Sequence, residues 1–370
     1  MAVAKDVTLL TGFPSFAARK MCAQLLRSSK KDEVFAVVRD KFKADAAQAI
    51  AELPRDEARR LHLLEGDAAS MDLGLSGAEY RDLARRITRI HHMARVSYPA
   101  VDRETAEAVN LGATREVIEL ALSCENLACV AFHSSASVAG DRKGLLREDE
   151  LDKGQSFRNV VEETTARAEK LIERKRDKLP ICVLRPTTIV GDSHTGEVDR
   201  FDGPYLLILL IVTSPPDLAL PLPGRADVPL HLVPVNYVVR AAHAIAQNPR
   251  AIGRTFHIAD PAPLTTRRVF ELVAAAGGKR LPRGFIPANI TKAILKTPGL
   301  DRIARSPRAF LESLATPTSL STANTEELLA GTDIRCPPLE SYVDKLVEYV
   351  QQKLREKRER ETAESHDPLS

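Results

Sequence analysis

Apolar residues along this chain gather in short, nearly continuous runs, and stretches of helical spacing lie between them. DVTLLTG (6–12), EVFAVVRD (33–40), LHLLEGD (61–67), RITRIHHMA (86–94), LACVAFHSSAS (127–137) and PICVLRPTTIV (180–190) each predict a strand. FAARKMCAQLLR, after the first run, and NLGATREVIELALSC (110–124) place their apolar positions on one helical face. Runs that are apolar throughout suit strands covered on both faces. Their alternation with amphipathic helices predicts an α/β fold with a doubly wound parallel sheet over residues 1–200.

Beyond about residue 195 the pattern changes. Prolines cluster at 215, 216, 221, 223, 229 and 234, and short elements follow without a clear period. A smaller substrate-side lobe is expected over 201–349, interleaved with the first and closing over the carboxyl edge of the sheet. Residues 350–370 read as a charged helix end and a disordered tail, since almost every position after Lys353 is polar.

Composition narrows the function classes. The chain has 53 basic and 50 acidic residues, a balance that gives no concentrated basic face for nucleic acid, and it has no Trp. Cys22, Cys124, Cys129, Cys182 and Cys336 form no CxxC, which suggests reduced thiols. His91 and His92 point to opposite faces of a strand, so no shared metal is expected there. The most apolar run, YLLILLIV (205–212), would span only about 12 Å as a helix, too short for a bilayer. The first residues lack a secretory pattern, so a cytoplasmic protein without a transmembrane segment is expected. The YLLILLIV run is expected either to line an acyl pocket or to form the core face of a buried helix.

The turn TGFPSFAA (11–18) lies between a predicted strand and a predicted helix, where backbone N–H groups can meet phosphates. With VVRD (37–40), EGDAASMDLGLS (65–76), HHMA (91–94), AGDRKG (139–144) and LRPTTIVGDSHTGEVDRFDGPY (184–205), it makes the chain resemble extended short-chain dehydrogenase/reductases. It is most similar to the fatty acyl-CoA reductase and carrier-protein thioester reductase branch. The resemblance runs from about Val7 to about Tyr349 and implies a Rossmann-type fold and NADP(H) as cofactor. By position it implies cofactor contacts from Thr11, Gly12, Ser15, Phe16, Arg39, Asp67, Asn110 and Pro186, with Arg39 at a 2′-phosphate and Asp67 near the adenine.

The same resemblance marks departures. Within NVVEETTARAEK (159–170) the family carries a tyrosine and a lysine, and this chain has Val161 and Thr165. A phenol tuned by an ammonium exchanges the substrate proton; valine holds no proton and threonine no charge. The literal YVQQK at 349–353 lies far from that place and reads as chance. Ser135 occupies the place of the substrate-orienting serine, or is a strand-end serine bonded to backbone. Ser15 and Ala113 replace family glycines and Pro14 removes an N–H, so dinucleotide binding is expected to be weak or lost.

The resulting expectation is a pseudoenzyme that binds a nucleotide or an acyl or other small-molecule ligand, or a protein partner, in a regulatory or scaffold role. The alternatives are an atypical NADP-dependent oxidoreductase and a protein-interaction module that binds no nucleotide. In the first, Tyr98 would be the proton donor, with His133 and His194 as weaker candidates; Tyr98 also reads as an ordinary half-buried loop residue. The charged face RAEKLIERKRDK (167–178) favours a monomer.

Overall fold

The structure is a computed structural model, and it describes residues 5–98, 100–215, 222–223, 227–280, 285–286 and 317–365. The chain divides into two compact units. The first holds residues 1–188, 236–261 and 319–335; the second holds 189–235, 262–318 and 336–370.

The first unit is built on a seven-stranded sheet. Its strands are β1 (Val7–Thr11), β2 (Glu33–Val38), β3 (Leu61–Glu65), β4 (Arg89–His92), β5 (Cys129–His133), β6 (Ile181–Pro186) and β7 (Thr255–Ile258). Their spatial order is β7-β6-β5-β4-β1-β2-β3, every pairing parallel. The first six match the strand runs read from the sequence. The seventh comes from beyond residue 200, inside the region where the prolines obscure the pattern.

Leu9, Phe35, Val37, Ile90, Val130, Phe132 and Val183 fill the core with Val117 and Ile118 of a helix, Ala113–Ser123. Each such side chain contributes about 1.5–3 kcal/mol when fully buried. The strand order reverses between β1 and β4, which opens a crevice at their carboxyl ends. Register puts Thr11 beside His92, His92 beside Phe132 and His133 beside Leu184, so the strand-end residues line up along that edge.

The second unit has its own core. The helix Tyr205–Thr213 packs its leucines and isoleucines with Val269, Phe270 and Val273 of Thr266–Ala276, and with Leu346, Val347 and Val350 of Val343–Ser365. The YLLILLIV run is therefore core. The last helix continues to Ser365, further than the charge pattern implies, and residues 366–370 lie outside the described residues. The tyrosine of YVQQK belongs here: the Tyr349 hydroxyl donates to the Val198 carbonyl at 3.3 Å.

Candidate functional site

The turn after β1 leads into α1 (Phe16–Ser28). Gly12 has φ +88°, and a Cβ there would stand 2.7 Å from the Met93 carbonyl carbon and oxygen, so only glycine fits. Thr11 Oγ1 accepts the backbone N–H groups of Met93 and Ala94, both at 3.1 Å, and so fastens the loop after β4 against the turn. Ser15 has φ −58° and ψ 155°, ordinary for any residue; its side chain is exposed and makes no capping bond. The N–H groups of the first turn of α1 thus receive no side-chain cap, the arrangement that suits a phosphate. Phe16 opens the helix with the Lys20 ammonium 5.4 Å from its ring centre.

At the far side of the crevice, Arg39 follows β2 and Asp67 follows β3. The Arg39 guanidinium meets Asp67 Oδ2 at 3.5 Å and lies 5.5 Å from the Phe42 ring centre. Asp67 Oδ1 accepts the Ala69 N–H at 3.0 Å. Both side chains keep about a third of their surface exposed (33% and 36%), so an adenosine moiety could reach them. Pro186 is buried at the end of β6, opposite Ile258.

Asn110 joins the two halves of the crevice. It sits in a π-helical turn, Ala108–Gly112, and its Oδ1 accepts the Val96 N–H at 2.8 Å. Its Nδ2 donates to Thr164 Oγ1 at 2.9 Å. Ala113, at the altered family glycine, has φ −60° and ψ −33°, so the helix accepts alanine without strain.

Thr164 belongs to α2 (Val160–Glu173), the helix on which the resemblance places the family's tyrosine and lysine. Asn159 caps it, Oδ1 accepting the N–H groups of Val161 and Glu162 at 3.1 and 3.0 Å. Val161 is buried with Val101 and Ala106, and Val96, Tyr98 and Val160 pack against them. Thr165, one turn on and on the same face, is buried, and its Oγ1 has no hydrogen-bond partner among the described residues.

Around these positions buried polar contacts hold the helix in place. Glu169, fully buried, pairs with Arg185 and accepts the Ser134 hydroxyl. Arg185 also donates to the Glu148 and Glu150 carbonyls at 3.3 and 2.8 Å. Ser135 Oγ accepts the Ser137 N–H at 3.2 Å, the backbone role of a strand-end serine. Tyr98 packs against the Val161 cluster through its ring. His133 faces His91, Nε2 to Nδ1 at 3.0 Å, and burial pushes its pKa down to about 3, with Arg95 and His92 adding to the shift. A ring so buried stays neutral and is a poor acid near neutral pH. His194 lies in the second unit, its N–H on Asp192 Oδ1 at 2.8 Å.

One residue at this edge had no place in the sequence reading. Arg95, between HHMA and VSY, is half-buried and donates from Nη1 to the Ser134 carbonyl at 2.9 Å. Its signal was an isolated cation immediately after a strand end.

Residues 10–242 match the family described as male sterility protein, an NAD-binding family. The chain belongs to that family. It is 30% identical over 227 residues to the glycine betaine reductase of Emericella nidulans, covering 59% of this chain and 17% of the relative. It is 24% identical over 279 residues to a fatty acyl-CoA reductase of Drosophila melanogaster, covering 64% of this chain and 53% of the relative. The chain thus spans about a sixth and about half of these two relatives. Among solved structures, the terminal R domain of the myxalamid PKS-NRPS biosynthetic pathway superposes with a TM-score of 0.80 at 22% identity, over 95% of this chain and 92% of that one. The R domain of a nonribosomal peptide synthetase of Mycobacterium tuberculosis gives 0.72 at 17% identity, over 95% and 93%. The fold of this male sterility family member is that of the extended short-chain reductases, thioester reductase branch. No helix among the described residues is long and apolar enough to cross a membrane.

Proposed function

We propose that this chain binds a nicotinamide dinucleotide, with NADPH favoured, and an acyl-type ligand beside it, without the family's proton-transfer step. The observation that carries the reading is Val161, buried in an aliphatic cluster where the resemblance places a phenol. The residues around the crevice fit the dinucleotide. Gly12 and the uncapped start of α1 suit its phosphates, and Arg39 and Asp67 suit its adenosine end.

Hydride chemistry is what a bound NADPH supplies in this fold. Reduction of a carbonyl also requires a proton at the carbonyl oxygen, and a positioned acid contributes roughly 10²–10⁴-fold. Val161 cannot give one, and Thr165 offers no ammonium to tune or replace it. Glu169, Arg185, Asn110 and the Asn159 cap still hold α2 against the sheet edge. The site therefore supports binding better than turnover, which suits a regulatory or scaffold role.

A second reading rests on Tyr98, whose ring packs against the cluster that contains Val161. In that reading its hydroxyl serves as the acid of an NADP-dependent reductase. Calorimetric titration of NADPH, paired with NADPH oxidation assays on acyl-CoA, separates the two. Binding without oxidation supports the first reading. Oxidation abolished by Ser135→Ala overturns it, and oxidation also abolished by Tyr98→Phe establishes the second.

A further inference from the structure

Arg95 is, among the described residues, a cation without a counter-charge. Among the described residues its only hydrogen bond goes to the Ser134 carbonyl, and no carboxylate pairs with it. A guanidinium carries five N–H donors in a fork that matches a carboxylate, and withdrawing one from water without an anion is unfavourable. Burial lowers its pKa from 12.5 to about 10, which reflects that desolvation. Its neighbour His133 is neutral and offers no relief, and Glu169, which accepts the Ser134 hydroxyl, is paired with Arg185.

Its place identifies the half of the crevice concerned. Arg95 leaves β4 and reaches toward the end of β5, away from β1 and β2, where Gly12 and Arg39 suit the phosphates and adenosine of a dinucleotide. Ser135, the residue after its carbonyl partner, uses its hydroxyl oxygen only as an acceptor in the described structure and retains a donor. On the other side, Val96 and Tyr98, both partly exposed, cover the buried cluster of Val101, Ala106 and Val161 with apolar side chains. A guanidinium with no carboxylate partner among the described residues, a serine donor and the apolar pair Val96 and Tyr98 therefore follow the ends of β4 and β5.

We infer that Arg95 receives the carboxylate of the ligand, and that this ligand is a monocarboxylate with an apolar chain. The inference rests on the dinucleotide-binding reading and names the ligand class for that site. It adds no chemical step: the carboxylate accepts N–H bonds from Arg95, and the chain lies along the exposed parts of Val96 and Tyr98.

The test uses the full chain saturated with NADPH, titrated with hexanoate and with hexanamide, its neutral analogue of similar shape. Hexanoate is expected to bind about 10-fold or more tightly than hexanamide, the range of a charge-assisted pair. Arg95→Gln should abolish that preference, and Arg95→Lys, which keeps the charge but loses the fork, should retain part of it. NADPH affinity should change less than about 3-fold in both variants, against the 10-fold scale of the charged pair. Equal binding of the two probes to the wild type overturns the inference. So does an Arg95→Gln or Arg95→Lys variant that loses NADPH affinity as strongly as hexanoate affinity, since the guanidinium then serves a dinucleotide phosphate. Failure of the wild type to bind NADPH at all sinks the underlying reading instead, and is scored in the first titration before either probe is added.

Discussion

Thr11 and His92, paired across β1 and β4, share a hydrogen bond of 2.8 Å between Oγ1 and Nδ1 whose direction is determined by their neighbours. Thr11 Oγ1 already accepts two backbone N–H groups, so its own hydrogen goes to the imidazole. His92 is then the neutral Nε2–H tautomer, and it donates onward to Thr114 Oγ1 at 3.3 Å. Thr114 in turn donates to the Asn110 carbonyl at 2.7 Å. A single neutral ring thus ties the turn after β1 to the π-helical turn.

This arrangement makes stability depend on pH. Burial pushes the His92 pKa down from 6.5 to about 4. A lowered histidine stabilises the fold fully above the unfolded value, near 6.5, and the contribution is lost as pH falls toward 4. At pH 5 the loss is about 2 kcal/mol relative to pH 7.5, since protons then bind the unfolded ring and not the folded one. Urea denaturation of the wild type and of His92→Asn at both pH values measures it. The variant should show a smaller difference by about that amount. An unchanged difference would mean that His92 titrates alike in both states.

Glu169 and Arg185 make a second prediction. Arg185 is 2% exposed and Glu169 fully buried, so neither has water to fall back on. Glu169→Gln leaves the guanidinium uncompensated and should destabilise the first unit by about 3–5 kcal/mol. Adding Arg185→Met should recover part of that loss, because an apolar replacement removes the stranded charge. The urea midpoints of the two variants decide it; a single variant within 1 kcal/mol of wild type, well below the roughly 3 expected, would show that the pair is not a net clamp.

Much of this frame is legible in the sequence because each part has a local signature. β1, β2, β5 and β6 are apolar runs buried along nearly their whole length, and Gly12 falls at a strand-to-helix turn. β7 is less legible: TFHI is short and lies among prolines, and only its pairing with β6 makes it a strand. Val161 draws notice in the sequence by its residue type alone, whereas a role that a contact makes leaves no such mark. Arg95 looks like any surface cation until its bond to the Ser134 carbonyl, and the lack of a carboxylate partner among the described residues, are known. Ala113 and Ser15 look like damaged glycines, yet their dihedrals suit any residue, since the positive φ of the turn falls on Gly12 alone.

Cofactor choice is tested at Arg39. Asp67 and Phe42 hold the guanidinium at the end of β2 without burying it. Under the proposed reading this guanidinium would pair with a 2′-phosphate, and a charge-assisted pair contributes about 1.5–3 kcal/mol. Arg39→Ala should therefore weaken NADPH by about 10-fold or more, with much less effect on NADH. Calorimetric titration of both nucleotides reads the ratio. Equal weakening would remove Arg39 from 2′-phosphate recognition and leave it as a partner of Asp67.

The strongest test of the binding reading is to give the missing groups back. Val161→Tyr must place a phenol where Val101, Ala106 and Tyr98 already fill the space, so it should lower stability by about 1–3 kcal/mol. Thr165→Lys replaces a buried hydroxyl without a partner by an ammonium one turn along the same face. If proton delivery is what the site lacks, the double variant should oxidise NADPH with a medium-chain acyl-CoA about 10²-fold faster than the wild type. Val161→Tyr alone should gain far less, because its phenol has no cation to tune it. A wild type that already turns over, and is not accelerated by the pair, would place the proton path elsewhere, and Tyr98→Phe would then show whether it runs through the phenol against the Val161 cluster.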